Sequence, residues 1–152
     1  MEFGQRASIE LEIFDQEGNY VTKMDYLKGY ELFRNKLIIH TEILSSEFME
    51  FIYSKKAALE NDFENSLQQE KVDTYLVDGV SKKCKLVART YVRDKDFCLD
   101  REMMYEIPKA TINTDILLSG NYQSCSSYTI EFDLSSFNDQ GHIFKIHFKK
   151  GV

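Results

Sequence analysis

Period-two alternation of apolar and polar residues constrains this chain more than any other feature of its sequence. Ala7, Ile9, Leu11 and Ile13 alternate with Ser8, Glu10, Glu12 and Phe14. Tyr128, Ile130, Phe132 and Leu134 alternate with Thr129, Glu131, Asp133 and Ser135. Successive side chains on a strand point to opposite faces, so each run predicts a strand with one buried face. His142 to Lys149 repeats the pattern, with Phe144, Ile146 and Phe148 expected inside and Lys145, His147 and Lys149 outside.

Turn residues punctuate these runs. Asp15 to Asn19 contains Gly18, and Asn138 to Gly141 ends in glycine, the residue that takes positive φ without strain. Tyr20 to Leu27 therefore returns as the second strand of a hairpin. A third extended stretch is expected from Gly29 to His40. Lys71 to Val77, Asp78-Gly79 and Val80 to Val92 read as another hairpin. A further strand is expected over Phe97 to Ile107, and Pro108, the one proline, fits a strand start or a sheet edge. Ala110, Ile112, Ile116 and Leu118 carry the next strand up to Gly120-Asn121.

One segment differs. Ser46 is a helix cap with Glu47 and Glu50 in the first turn, and Phe48, Phe51, Ile52 and Leu59 fall near helical spacing. The expectation is a single helix over about residues 46–60, followed by a polar extension over 60–70. The fold class is mainly β: an antiparallel β-sandwich or barrel with one flanking helix, in a single domain spanning 1–152 with arm-like termini.

Composition limits function more than it reveals it. The chain has 152 residues, enough to bury about 68–70% of its unfolded surface without a disulfide or a metal. The 19 Lys+Arg against 25 Asp+Glu give a net charge of −6, which argues against a basic nucleic-acid clamp. Apolar runs are short, as in Leu37-Ile38-Ile39, so no membrane span is expected. Met1 to Ala7 is too short and polar for a signal peptide, and the expected product is soluble and intracellular.

Catalytic signatures are not found. Ser124, Ser126 and Ser127 lie in a polar stretch without the G-x-S-x-G frame. Cys98 sits near Arg93, Lys95 and Arg101, which would favour a thiolate, but no base accompanies it. Cys84, Cys98 and Cys125 match no zinc spacing. His142 and His147 are five apart, so on one strand they would face opposite ways, and His40 stands alone. Glu10 with Glu12, and Glu131 with Asp133, each share a strand face without forming a sugar cleft, and no tryptophan is present to stack a sugar. Asp94-x-Asp96 lacks the glycine of a calcium loop, because Leu99 stands there. Lys82, Lys83 and Lys85, like Lys149 and Lys150, read as a solvated rim. The expectation is a protein that is not an enzyme, with no cofactor and no metal. Its exposed strand edges make self-assembly a natural outcome.

The stretch Glu106-Ile107-Pro108-Lys109-Ala110-Thr111-Ile112-Asn113, then Gly120-Asn121, then Ser127-Tyr128-Thr129-Ile130-Glu131-Phe132 resembles the C-terminal half of phage tail tube proteins. There, an IPKA-like strand leads through a polar hairpin turn to a strand alternating in phenylalanine. The resemblance covers a little under half of the chain. It implies a virion structural protein, assembled in the host cytoplasm, whose copies form hexameric rings. The rings stack into a tube that meets other tail proteins and passes DNA without binding it specifically. An acidic lining would repel passing phosphates. On this reading Glu31 and Glu42 are candidate lumen-facing acids. Asn61, Asp62, Glu64, Asn65, Gln68 and Gln69 form a candidate ring-stacking extension, together with the chain ends. The alternative is a monomeric β-barrel or sandwich binding module for a small ligand or partner protein, which a deep apolar pocket would favour.

Overall fold

The computed structural model describes residues 9–55, 75–76, 81–93, 100–113, 117–121 and 124–149. In chain order the elements are β1 (Glu10–Phe14), β2 (Tyr20–Met24), β3 (Leu27–Leu32), β4 (Lys36–Thr41), α1 (Ser46–Ile52), β5 (Ser54–Lys55) and β6 (Tyr75–Leu76). They continue with β7 (Lys82–Arg93), β8 (Asp100–Ile112), β9 (Leu117–Asn121), β10 (Ser124–Leu134) and β11 (Lys145–Phe148). The expected class holds: the protein is mainly antiparallel β with a single helix among the described residues.

The main sheet runs β2-β1-β7-β8-β10-β4-β3, with β11 added to β8 and β9 to β10. Every pairing in it is antiparallel. Directions alternate along the path, so its two end strands, β2 and β3, run the same way. Only Asp25 and Tyr26 separate them, a link that spans at most about 11 Å. Laid flat, the seven strands of the path would hold β2 and β3 about 29 Å apart. The sheet must therefore curl until its ends meet. β2 and β3 are one bent strand that leaves β1 and joins β4, closing a barrel, as strands do at the corners of orthogonal packings. The Thr41 hydroxyl, 3.4 Å from the Tyr26 carbonyl oxygen and 3.0 Å from that of Ile43, ties this bend to the end of β4.

The inward residues of each strand fill the barrel. Leu11 and Ile13 of β1, Leu37 and Ile39 of β4, Leu86 of β7, Ile107 and Ile112 of β8, and Ile130 and Phe132 of β10 are all 1% exposed or less. The helix plugs the barrel with Phe48 and Ile52, which are fully buried and four residues apart on one helical face. Its N-cap is Ser45, one residue earlier than expected; the Ser45 hydroxyl accepts from the Phe48 N–H at 3.1 Å and lies 3.3 Å from the Thr22 hydroxyl. Such a cap contributes about 1 kcal/mol.

The helix is also shorter than expected. It stops at Ile52, because Tyr53 turns extended (φ −127°) and buries its ring, and Ser54–Lys55 pairs with Tyr75–Leu76. Two turns already deliver Phe48 and Ile52 to the core, and burial of Tyr53 then outweighs helical propensity. Among the described residues β6 pairs with β5 and not with β7. The turn of the hairpin expected around Asp78-Gly79, residues 56–60 of the expected helix and the 60–70 extension lie outside the described residues.

Three other expectations change. Ala110 and Ile112, expected to share a strand with Leu118, instead end β8, and Leu118 lies in the separate β9. The stretch Gly29 to His40 is two strands, since β3 and β4 form a hairpin in which the Phe33 N–H donates to the Lys36 carbonyl at 2.7 Å. Pro108 lies inside β8 rather than at a strand start. It falls where β8 exchanges neighbours, between its pairing with β11 up to Glu106 and with β10 from Ala110, and opposite the register shift of β7 between Cys84 and Leu86. A residue without an N–H donor is tolerated in such a gap. The β1–β2 turn forms as expected: Gly18 has φ +89°, and Asp15 accepts from the Asn19 backbone at 2.8 Å, the main cause holding its carboxyl below the ordinary range.

Candidate functional site

Two ladders overhang the barrel. Among the described residues β1 covers β7 only from Lys85 to Arg89, yet β7 stays paired with β8 out to Arg93 and Asp100. β4 covers β10 only from Tyr128 to Asp133, yet β10 stays paired with β9 back to Ser124. β7 and β10 flank β8 and run in the same direction. One overhang lies at the C-terminal end of β7 and the other at the N-terminal end of β10, so the two arms project from opposite ends of the barrel.

The outer wall has two electrostatic halves. On β2-β1-β7-β8-β11 the strands alternate in sign. Lys23 pairs with Glu10; Arg89 pairs with Glu12 at 3.0 Å and Glu102 at 3.5 Å; Glu106 meets Lys145 at 3.6 Å and His147 at 3.3 Å; Lys149 lies 3.9 Å from Glu102. The hydrogen bond to Glu12 holds the Arg89 guanidinium above its ordinary pKa, and that to Glu10 does the same for Lys23. The hydrogen bond from His147 holds the Glu106 carboxyl below its ordinary range. These pairs are largely exposed and contribute little stability singly, but they fix which strand sits beside which.

On β10-β4-β3 the balance is acidic. Glu31 and Glu131 flank Ile38 in register, and Asp133 stands opposite Lys36. The Lys36 ammonium lies 3.4 Å from Glu131, while Glu31 makes no ion pair among the described residues. Glu31 thus joins Glu131 and Asp133 on the outward face, because Tyr30 and Leu32 take the core side. Glu42 does not join them. It follows β4 and is held by Lys28 at 2.7 Å. The proposed stacking residues Asn61, Asp62, Glu64, Asn65, Gln68 and Gln69 lie outside the described residues.

Alternation over His142 to Lys149 predicts Phe144, Ile146 and Phe148 inside, and β11 forms only over Lys145–Phe148 of that stretch. Only Phe144 packs on the core, edge-to-face with Tyr105 at 5.8 Å between ring centroids. Ile146 is 49% and Phe148 52% exposed. The cause is topological: β11 pairs only with β8, so nothing among the described residues lies over its far side. Arg101 stacks its guanidinium over the Phe148 ring at 5.9 Å and donates to the Lys149 carbonyl at 2.9 Å. The alternation in the sequence placed these residues on one face correctly. It could not show that this face runs past the end of the core.

The remaining chemistry-bearing residues stay apart. His40 bonds Thr129 at 3.1 Å across β4 and β10, His142 lies in a loop beside Asn138 at 2.8 Å, and His147 pairs with Glu106. Among the described residues no group of three or more His, Cys, Asp or Glu could hold a metal, and no helix is long and apolar enough to cross a membrane. Cys84 is buried at 2% exposure, and desolvation pushes its thiol up to about 12. At pH 8 its thiolate fraction is about 10⁻⁴. The expected result is that Cys84 resists a thiol reagent such as iodoacetamide in the native protein and reacts on denaturation, as read by peptide mass mapping. Prompt native labelling of Cys84 would contradict its burial in the barrel. No family model matches the chain, and a search of curated proteins returned no match.

Proposed function

We propose that this protein is a self-assembling structural subunit of the phage tail tube type, whose copies associate through the edge of β11 into rings. The observation that carries this reading is β11: a strand edge left unpaired among the described residues, with Ile146 and Phe148 half exposed beside it. Free edges of this kind template pairing with another chain unless they are blunted or covered. The acidic outer face of β10-β4-β3, with Glu31, Glu131 and Asp133, suits a wall past which a polyanion slides without adhering. The oppositely directed arms supply contacts along a stack.

Negative-stain electron microscopy over a concentration series, with light-scattering mass on the same samples, tests the reading. Rings or hollow tubes that grow with concentration are the expected result. A monomer at every concentration up to about 1 mM would overturn it and favour a monomeric binding module.

A further inference from the structure

A cavity of about 460 Å³ opens where the β1–β2 turn, the start of β7, the Pro108–Thr111 part of β8 and the chain after β10 meet. That volume is within the range of small-molecule clefts, roughly 300–1,000 Å³. Its charged lining is one-sided. Lys83, Lys85 and Lys109 border it, with hydroxyls from Thr111, Ser135 and Ser136. Among the described lining residues there is neither a carboxylate nor an aromatic ring. Five cations on the strands around it are matched instead: Lys23 to Glu10, Lys28 to Glu42, Lys36 to Glu131, Arg89 to Glu12 and Lys145 to Glu106. Lys83, Lys85 and Lys109 make no ion pair among the described residues.

The backbone explains how they come together. Between the pairs Cys84–Ala110 and Leu86–Ile107 the ladder advances two residues on β7 and three on β8, so Pro108 and Lys109 bulge opposite Lys85. Pro108 marks the matching gap in β8, and the Ser135 N–H donates to the Lys109 carbonyl at 3.0 Å, drawing the chain after β10 to the same place. The Ser136 hydroxyl donates to the Asn138 carbonyl at 2.7 Å, so its proton is committed. Those of Ser135 and Thr111 make no side-chain hydrogen bond among the described residues and are open to a ligand. Asp133, opposite Thr111 in the ladder, is not part of the lining.

We propose that this cleft binds a small phosphoryl-bearing ligand on a non-aromatic carrier. Three ammoniums around one recess concentrate positive potential there. A phosphoryl group brings about two negative charges and three acceptor oxygens, which matches several lysines and hydroxyls at once. A nucleobase would find no ring to stack on. The inference stands apart from the assembly reading, since the cleft is built within one copy.

Isothermal titration of the full chain with inorganic pyrophosphate at low ionic strength tests it. Saturable one-to-one binding is expected. Lys85→Gln and Lys109→Gln should each weaken it about tenfold, as loss of a charge-assisted hydrogen bond does, with unchanged circular dichroism and ligand-free melting. Lys28→Gln, a cation held elsewhere by Glu42, should leave affinity unchanged. No saturable binding would overturn the proposal, as would full retention in the Lys85→Gln/Lys109→Gln double variant. Equal affinity for tricarballylate would overturn the phosphoryl assignment and point to carboxylates of another chain as the occupant.

Discussion

Ile130→Asp is expected to abolish cooperative folding. Ile130 is fully buried on β10, opposite Ile39 of β4, in the same barrel interior as Phe132, Leu37, Leu86 and Ile107. The change removes an apolar side chain, which by itself costs about 2–5 kcal/mol including the cavity. It also leaves a carboxyl among aliphatic groups. The ionised form would cost several kcal/mol more, because the lysines of this sheet face outward; the neutral form needs its pKa driven up and still lacks a hydrogen-bond partner. Against a total stability of about 5–15 kcal/mol for a domain, the sum removes most or all of the folded state. Urea denaturation followed by circular dichroism measures this. Glu131→Gln, one residue along and outward-facing, loses only an exposed contact to Lys36 and should shift stability by less than about 1 kcal/mol. A cooperative Ile130→Asp transition within about 1 kcal/mol of the wild type would mean that the β10 register is wrong.

The contrast between those neighbouring residues was readable in the sequence, because strand period two depends only on backbone geometry. The same holds for Leu11 and Ile13, and for the β1–β2 turn with Gly18. Features set by tertiary context were not readable. The helix ends at Ile52 because the core claims Tyr53, a choice that local spacing through Leu59 did not disclose. β3 and β4 looked like one stretch because the turn between them, Phe33 to Asn35, contains neither glycine nor proline. Closure of the barrel depends on β2 and β3 running the same way, which follows only from the full strand order. The cleft was half visible. Lys83 and Lys85 stood together in the chain and read as a solvated rim, whereas Lys109 and Ser135 reach them only through the β7–β8 register and the Ser135–Lys109 hydrogen bond. Glu31 and Glu42 were grouped as exposed acids, and the structure separates them because Lys28 faces one and not the other.

Ile146→Pro is expected to abolish self-association while leaving the subunit folded. The Lys149 N–H donates to the Glu102 carbonyl at 3.0 Å, which makes Lys149–Glu102 a hydrogen-bonded pair of the β11–β8 ladder. Antiparallel pairs alternate between bonded and non-bonded, and the register is Lys145–Glu106, Ile146–Tyr105, His147–Met104, Phe148–Met103. Lys145 and His147 therefore also turn their backbone groups toward β8. Ile146 and Phe148 turn theirs outward, to the edge left open among the described residues, where a second chain would bond. Proline at 146 deletes one outward N–H and leaves the β8 ladder intact, the one kind of strand position where proline is tolerated. Ile146→Ala keeps that N–H and removes only the side chain, so it should weaken association in part. His147→Pro removes an N–H bonded to β8 and should destabilise the subunit itself. Sedimentation velocity over a concentration series, with a thermal melt of each variant, separates the three. Association by Ile146→Pro equal to the wild type would exclude β11 as the pairing edge. A melting loss for Ile146→Pro as large as that for His147→Pro would mean that the ladder has the opposite phase.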